Sequence, residues 1–328
     1  MRFLAPSLLG LYGLLSAAVP TVAQPSGDTD FMSVRENLAK DYESEGEIPT
    51  DKYFTESSFH YHYDGRFAAQ PLPDDQVIPH LSALIQTYLS TMSSIGAETW
   101  IMHGTLLSWW WNQKVPCSCP PGLAHGCKSL TSGALQIFPW DNDLDVQISE
   151  PTIHFLAEFY NMTEHHFDLP GVDGGRKYLL EINPHYVVRS EHDFLNVIDG
   201  RWIDTSSGLF IDITAVRKDD ARRQRGESEA LMCKDRHRYL ESQIFPLRDS
   251  YFEDVPVKIP YSYTLLLEEE YGPRALTNKN FQGHKFNEDT KIWEHVQNVK
   301  RFLRRGWRTG DLPIRSANNQ PLVRMDAS

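Results

Sequence analysis

The chain has 328 residues, of which 41% are hydrophobic, 12% aromatic and 23% charged. This composition is typical of a globular protein with a sizeable core, built as one large domain or two closely packed ones. The formal net charge is −12 and the sequence has no long basic run, which argues against nucleic-acid binding through phosphate neutralisation. An acidic protein that handles an anionic substrate needs a metal or local arginines to offset the repulsion.

The N-terminus has the pattern of a targeting segment. Arg2 precedes an apolar run over residues 3–19, and Pro20-Thr-Val-Ala23 follows with small residues that suit cleavage before Gln24. The run is short for a membrane-spanning helix, and no other stretch approaches spanning length. We therefore expect a signal peptide over residues 1–23 and a mature protein without a stable membrane span, in the lumen of the secretory pathway (Golgi or endoplasmic reticulum) or outside the cell. An uncleaved anchor is the alternative.

The rest of the chain divides by composition. Residues 24–75 are rich in Asp, Glu, Ser, Pro and Tyr without a lasting period, which predicts a loosely ordered N-terminal arm. Regular hydrophobic spacing over residues 76–305 indicates one domain, and residues 306–328 form a polar tail. Within the domain, residues 115–137 have prolines, glycines and little apolar periodicity, which is typical of an inserted surface loop.

The cysteines concentrate in that inserted loop. The chain has four of them: Cys117, Cys119, Cys127 and Cys233. In an oxidising compartment an even number suggests two disulfides, whose pairing the sequence leaves open. Three of the cysteines lie close to His125, so a Cys/His zinc site is the competing interpretation. Asn161-Met-Thr163 is the one glycosylation sequon.

The first predicted elements of the domain are a helix, a short strand and a second helix. Apolar residues recur at helical spacing from residue 77 to residue 92, and residues 98–102 form a strand candidate. This strand turns at His103-Gly104-Thr105 into an apolar helix over residues 106–111. Such a turn presents backbone N–H groups and a positive dipole end, which predicts a phosphate seat, with Thr105 as the helix cap. The alternative is that Gly104 only permits the turn and that His103 is an interior histidine.

An acidic strand is predicted over residues 138–148. If this stretch is extended, Asp141, Asp143 and Asp145 share one face while Leu144 and neighbouring aliphatic residues line the other. Three carboxylates on one side of a half-buried strand repel one another, and a hard divalent cation such as Mg²⁺ would offset that repulsion. A solvated acidic turn before an ordinary strand is the alternative interpretation.

A β-rich region follows a predicted helix over residues 151–160. Short runs over 178–182, 186–189, 196–199, 201–204 and 208–214 are separated by turn residues, which predicts neighbouring strands. In the last run Asp212 is flanked by Ile211 and Ile213, so its carboxylate is turned away from a buried apolar face. An ordinary strand that exposes one polar residue explains this equally well in isolation.

The C-terminal part is less informative. Residues 219–238 are highly charged and predict a solvated helix or loop. A strand is expected over residues 255–259, and the last predicted element is a helix whose apolar positions are Ile292, Val296, Val299 and Leu303.

The order of these features resembles a known family. The run His103-Gly-Thr-Leu-Leu-Ser-Trp-Trp-Trp-Asn112, followed by Pro139-Trp-Asp-Asn-Asp-Leu-Asp-Val146, is similar to the LicD family. This family includes bacterial phosphocholine transferases, fukutin, fukutin-related protein and the fungal mannosyl-phosphorylation proteins, and the fungal branch is the closest match. The resemblance implies an α+β fold: a nucleotidyltransferase-like mixed β-sheet flanked by helices, with a C-terminal helical extension.

The resemblance also implies chemistry at named positions. The family transfers a phosphorylated small group from a nucleotide-activated donor to a glycan hydroxyl with Mg²⁺ or Mn²⁺. Carried over by position, Asp143, Asp145 and Asp212 would bind the metal, and Asp212 could instead accept the proton of the attacking hydroxyl. Asp141 would bind a second metal or orient the acceptor. The donor phosphates would meet His103, Gly104 and Thr105, with Arg189 and Arg201 as further candidates because arginine binds phosphate bidentately.

The expected function is therefore a metal-dependent phosphotransferase that moves mannose 1-phosphate from GDP-mannose to glycoprotein or cell-wall glycans. A CDP-linked alditol or choline donor is the nearest alternative. A non-catalytic protein that regulates a separate transferase is the rival from another class. A glycosyltransferase, which also uses an Asp-x-Asp pair, is the third hypothesis.

Overall fold

The computed structural model describes residues 52–112, 136–189 and 193–296. Its helices are α1 (Asp74–Ile95), α2 (His103–Trp111), α3 (Glu150–Phe159), α4 (Asp220–Gln224), α5 (Glu241–Ile244) and α6 (Tyr263–Tyr271), with 3₁₀ turns at Pro184–Val187 and Pro273–Leu276. The strands up to the centre of the sheet are β1 (Thr99–Ile101), β2 (Leu144–Ser149), β3 (Thr163–Phe167), β4 (Arg176–Ile182), β5 (Gly200–Asp204) and β6 (Phe210–Lys218). The later strands are β7 (Ala230–Met232), β8 (Arg238–Leu240), β9 (Arg248–Phe252), β10 (Val255–Ile259), β11 (Asn280–Phe281), β12 (His284–Asn287) and β13 (Ile292–His295).

An eight-stranded mixed sheet organises the described chain. Six strands lie in the order β1-β2-β6-β5-β4-β3, and β7 extends from β6 with β8 beside it. β2 and β6 are parallel, whereas the other neighbours in the sheet pair antiparallel. Two small antiparallel sheets, β9 with β10 and β11 with β12 and β13, complete the structure.

Helices cover the sheet and close the core. α1 packs against β5, β6 and β10, and α3 packs against β2, β4 and β6. One continuous core joins them, with Leu81, Trp100, Val146, Ile153 and Trp202 fully buried. The predicted α+β fold, with a mixed sheet flanked by helices, is confirmed. No helix among the described residues has both the length and the apolar character needed to cross a membrane.

The segment over residues 52–73 packs on the domain, although the sequence predicted a loosely ordered arm there. Phe54, Tyr63 and Ala68 are buried, and the Tyr63 backbone bridges to Leu209. The apolar residues of this segment are too widely spaced to reveal a helix or strand period, so periodicity alone could not detect the packing.

Several predicted elements differ in type from the observed ones. The predicted strand at 196–199 has no regular secondary structure, and the stretch 219–238, predicted as a solvated helix or loop, contains α4 and the buried strand β7. Residues 292–295 form strand β13 on the β12 hairpin instead of the start of a helix, and Trp293 is buried in an aromatic cluster with Trp111 and Phe286. The expected helix positions beyond residue 296 lie outside the described residues. The predicted strand at 186–189 is instead a 3₁₀ turn with no buried residue, because Pro184 begins it and Asn183 caps it through its side chain.

One of the four cysteines lies in the described part of the chain. Among the described residues, Cys233 is a buried free thiol, and the disulfide and zinc interpretations both stay predictions. Cys117, Cys119 and Cys127 lie outside the described residues, as do the predicted signal peptide and the polar tail.

Candidate functional site

The turn from β1 into α2 supplies the first part of the site. Met102 is the extended N-cap residue without a side-chain cap, and Leu106 donates the first helical hydrogen bond to the Met102 carbonyl at 3.2 Å. The N–H groups of residues 103–105 therefore have no acceptor within the helix and form its electropositive end. Among the described residues, a Cβ at Gly104 would meet nothing within 4 Å. The surrounding protein therefore does not require glycine at this position, which leaves room for a ligand beside the helix end.

The hydroxyl of Thr105 connects this helix to the acidic strand. The backbone N–H of Asp145 donates a hydrogen bond to Thr105 Oγ1 at 2.8 Å. Thr105 is thus buried inside the first turn, and the prediction that it caps the helix is wrong, because Met102 occupies the N-cap position. This hydrogen bond holds the N-terminus of α2 directly beside Asp145.

Two of the predicted aspartates lie side by side. Asp145 on β2 is in register with Asp212 on the parallel strand β6. Registered residues of neighbouring strands point to the same face about 4.8 Å apart, so the two carboxylates share one surface. Their neighbours Val146 and Ile211 are fully buried on the other face, which is the alternation that the sequence predicted.

The other two aspartates lie at the entrance to β2. Asp143 is two residues before Asp145, and its negative charge contributes to the raised pKa of Asp212, for which burial is the larger cause. Asp141 is buried, and its carboxylate accepts the backbone N–H of Asn142 at 3.2 Å. The structure therefore brings Asp143, Asp145 and Asp212 to the start of the parallel strand pair, and Asp141 lies three residues before β2.

Arg201 lies opposite Asp212 in the sheet. Its Nε donates to Asp212 Oδ1 at 2.9 Å, and its Nη2 donates to Glu56 Oε1 at 2.9 Å. The guanidinium lies 3.7 Å from the ring centre of Phe210 and 4.6 Å from that of Phe54. Within the described chain its Nη1 is buried without a hydrogen-bond partner. An anionic ligand that accepted from this atom would remove the cost of an unsatisfied buried donor.

Arg189 is not brought to the aspartates. Its guanidinium forms exposed ion pairs with Glu150 and Asp220, each at 2.9 Å. Glu150 follows the last residue of β2, whereas Asp145 is near the first, and five residues of strand span roughly 16 Å. Of the two arginines proposed to bind phosphate, only Arg201 therefore lies beside the carboxylates.

Two histidines of the N-terminal segment, which were not predicted as site residues, also reach the acidic strand. His62 Nε2 lies 3.6 Å from Asp143 Oδ2, and His60 Nε2 lies 3.2 Å from the Asn142 side-chain nitrogen. The alternation of aromatic and histidine residues over 59–63 is the signal that could have drawn attention to them.

A cluster of histidines and carboxylates lies at the start of α2, and it too was not predicted as a whole. His103 Nδ1 contacts Glu270 at 3.0 Å, and His103 Nε2 lies 3.7 Å from Asp235 Oδ2. His237 Nδ1 lies 3.0 Å from the same Asp235 oxygen. We refer to His103, Asp235, His237 and Glu270 as the histidine cluster. Residues 219–238, which include Asp235 and His237, were predicted to form a solvated stretch.

The donor atoms decide what each group could hold. Asp143, Asp145 and Asp212 offer the hard oxygen ligands that Mg²⁺ and Mn²⁺ take, so their chemistry fits such an ion. The aspartate ligand atoms, however, are not the ones that converge. Within residues 52–112, 136–189 and 193–296, three ligand atoms that all lie within 4.8 Å of one another are found in His103, Asp235 and His237. Arg201 holds one Asp212 oxygen, and because the aspartate ligand atoms do not converge to this spacing, an ion here would need side-chain rotation at the aspartates.

Fold and site together define an α+β protein whose parallel strand pair carries aligned aspartates beside a helix N-terminus. No family model matches the chain. Two proteins of Saccharomyces cerevisiae are similar to it. Mannosyltransferase regulator 4 is 30% identical over 141 residues, which cover 43% of this chain and 10% of the yeast protein. Mannosyltransferase regulator 14 is 29% identical over 185 residues, which cover 53% of this chain and 17% of the yeast protein. The chain thus matches only a small part of the length of either relative.

Proposed function

We propose that this protein is a metal-dependent phosphotransferase of the secretory pathway, which transfers a sugar phosphate from a nucleotide-activated donor to a glycan hydroxyl. The observation that best supports this proposal is the in-register pair of Asp145 and Asp212 beside the N-terminus of α2. The resemblance to the fungal branch of the LicD family favours GDP-mannose as the donor, and the names of the two yeast relatives refer to mannosyltransferases. A CDP-linked alditol or choline is the alternative donor.

Each residue would have a distinct task in this reaction. When bound to Asp143 and Asp145, Mg²⁺ or Mn²⁺ would neutralise the diphosphate and favour in-line displacement. The N–H groups at the start of α2, with Gly104 leaving room for close approach, would hold phosphate oxygens. Arg201 would donate its uncommitted Nη1 to the transferred phosphate. Asp141 would orient the acceptor.

Asp212 is the candidate to bind metal or to accept the proton of the attacking hydroxyl. Burial raises the pKa of this carboxyl, while the adjacent Arg201 opposes that rise. A carboxylate with a raised pKa is the better proton acceptor. In the transfer, the acceptor oxygen would form a bond to the phosphorus attached to the sugar, the bond from that phosphorus to the nucleotide oxygen would break, and nucleoside monophosphate would leave.

The first test is release of nucleoside monophosphate by the purified chain with Mn²⁺, GDP-mannose and a mannoside acceptor. We expect Asp143→Asn and Asp145→Asn each to lower the release rate by about 100-fold or more, because even outer partners of metal ligands are worth roughly 10–100-fold. Asp249→Asn is the matched control, since the Asp249 side chain is 90% exposed and pairs with Lys258 on the neighbouring strand β10.

The product separates this proposal from its rivals. Phosphorus NMR should detect a phosphodiester between two sugars, whereas a plain glycosidic bond would identify a glycosyltransferase. Unchanged release in both aspartate variants, with folding preserved, would eliminate the assignment of these residues.

A non-catalytic regulator is the second candidate, and two observations favour it. Both yeast relatives carry the word regulator in their names, and Arg201 already occupies one oxygen of Asp212. Such a protein would bind the nucleotide sugar and stimulate a separate transferase. Binding of GDP-mannose without any release of nucleotide, across a panel of GDP- and CDP-linked donors with Mg²⁺ and Mn²⁺, would select this alternative.

A further inference from the structure

The histidine cluster is built from three distant parts of the chain. His103 begins α2, Asp235 and His237 lie in the turn between β7 and β8, and Glu270 is in α6. The exposed residue Arg236, with φ of 74°, bends the turn between Asp235 and His237. One Asp235 oxygen accepts the backbone N–H of His237 at 3.2 Å, while the other, Oδ2, faces both imidazole rings.

The three inner atoms converge on one point. Asp235 Oδ2 lies 3.0 Å from His237 Nδ1 and 3.7 Å from His103 Nε2, and the two rings have their centres 4.3 Å apart. The ligand atoms all fall within 4.8 Å of one another. This spacing is that of three ligands around a single ion, because metal–ligand distances of about 2.0–2.2 Å bring the ligand atoms within roughly 3–4 Å of each other.

Glu270 lies behind both rings. It contacts His103 Nδ1 at 3.0 Å, and its Oε1 lies 3.8 Å from His237 Nε2. A carboxylate on the far nitrogen of a histidine orients the ring and leaves the near nitrogen to bind metal, which is the usual second layer of a metal site. The amide nitrogen of Gln147 lies 3.3 Å from His103 Nε2. An ion bound to Nε2 would take the place of this contact, and the Gln147 amide would keep its hydrogen bond to the Tyr239 hydroxyl at 3.1 Å.

We propose that His103 Nε2, His237 Nδ1 and Asp235 Oδ2 bind one divalent transition-metal ion of the zinc class, at a site separate from the three aspartates. Two imidazoles and one carboxylate suit zinc and its neighbours better than Mg²⁺, which prefers oxygen ligands alone. Three protein ligands leave a fourth position open.

The ion would stabilise the start of α2. His103 has φ of 53°, a conformation that costs free energy for a residue other than glycine and persists only when its surroundings hold it. An ion on His103 would tie this residue to the β7–β8 turn and so hold the helix end that faces Asp145. Metal binding is measured without donor or acceptor, so it is decided independently of the transfer reaction.

The test uses the full chain, stripped with a chelator and titrated separately with Zn²⁺ and Co²⁺. We expect His237→Gln and Asp235→Asn each to weaken binding of one ion per chain by about 100-fold, and Glu270→Gln to weaken it by roughly 10–100-fold. His284→Gln is the matched control, since this histidine lies on the separate β12 hairpin, and Asp145→Asn should also leave Zn²⁺ affinity unchanged.

The cobalt spectrum tests the ligand set directly. Nitrogen and oxygen ligands give visible bands, whereas thiolates add strong near-ultraviolet absorption, which separates this site from one formed by the cysteines of residues 115–137. Thiolate absorption at one equivalent, equal affinity in wild type and in both His237→Gln and Asp235→Asn, or no tight binding at all would overturn the proposal. If those variants do not fold, histidine NMR of the wild-type chain decides: the proposal requires two imidazoles to shift at one equivalent of Zn²⁺, coordinated through one Nε2 and one Nδ1.

Discussion

Arg66 joins the N-terminal segment to the sheet through a buried charge cluster. Its guanidinium pairs with Asp64 at 2.8 Å and with both oxygens of Glu181. The Asp64 side chain is 0% exposed and the Glu181 side chain is 2% exposed. Tyr53 donates its hydroxyl to Glu181 at 2.8 Å. Such a cluster contributes little compared with an apolar replacement of the whole set, but removing one member leaves uncompensated charge in the interior.

We therefore expect Arg66→Met to destabilise the protein by about 3–5 kcal/mol, because Asp64 and Glu181 would remain buried without their cation. Urea unfolding of the purified variant measures this change. Arg189→Met is the matched control, since the Arg189 side chain is 42% exposed and its ion pairs should contribute only about 0–1 kcal/mol. Equal losses in the two variants would contradict the view that burial of the partners sets the cost.

At the scale of elements, the hairpin between β5 and β6 sets the register on which the site depends. Asp204 accepts backbone N–H groups of the turn through its carbonyl, and Asp64 donates its backbone N–H to the Gly208 carbonyl at 2.7 Å. This hairpin aligns Arg201 with Asp212, and the parallel pairing of β6 with β2 then aligns Asp212 with Asp145. A slip of one residue would turn Asp212 into the core.

Gly208 is the position where this arrangement tolerates no side chain. Its φ is 80°, and an added Cβ would lie 2.5 Å from the Ala68 Cβ. We expect Gly208→Ala to cost about 2–4 kcal/mol, the sum of left-handed backbone strain and a clash in a packed region. Thermal and urea unfolding of the variant measure the loss.

Gly171→Ala separates the two contributions. Gly171 has φ of 77°, but a Cβ there would meet nothing within 4 Å in the described chain, so only the backbone strain remains, of about 1–2 kcal/mol. If Gly208→Ala and Gly171→Ala lost the same stability, residues 64–68 would not pack against this turn.

At the scale of the whole molecule, acid should lower stability through a histidine far from the aspartates. His165 on β3 is 1% exposed, contacts Thr163 Oγ1 at 2.8 Å and packs 4.9 Å from Trp202. Burial lowers the pKa of this imidazole to about 4. In the unfolded chain a histidine has its ordinary pKa of about 6.5. Between these two pKa values the imidazole is therefore protonated in the unfolded chain and neutral in the folded protein.

The sign follows from proton linkage. Between pH 4 and about 6.5 the unfolded state holds more protons at this residue, so stability falls as the pH falls, by about 1.4 kcal/mol per pH unit at most. We expect His165→Gln to flatten the dependence of the free energy of unfolding on pH in this range, as measured by urea titrations at several pH values. His295→Gln, at an exposed position, should keep the wild-type slope, and an unchanged slope in His165→Gln would contradict the prediction.

Local patterns were sufficient for most regular elements near the site. Three such elements are the strand before His103, the helix after it and the alternation around Asp143 and Asp145. Each depends on fewer than a dozen consecutive residues, so the local sequence pattern is enough to predict it. Strand β13 and the 3₁₀ turn at Pro184–Val187 were misjudged, because short runs rich in apolar residues fit more than one element and tertiary pairing decides between them.

The sequence by itself determined the α+β class, the acidic strand with its apolar opposite face, and the turn into α2, since each follows from side-chain period and turn chemistry over a short range. Only the tertiary structure decided which charges meet. It set Arg201 rather than Arg189 beside Asp212, folded residues 52–73 over the sheet, and joined His103 to Asp235, His237 and Glu270. The physical reason is that charge pairing and metal-ligand geometry act over a few ångströms between residues that are separated along the chain, as His103 is from Asp235, and no local pattern records which of them meet.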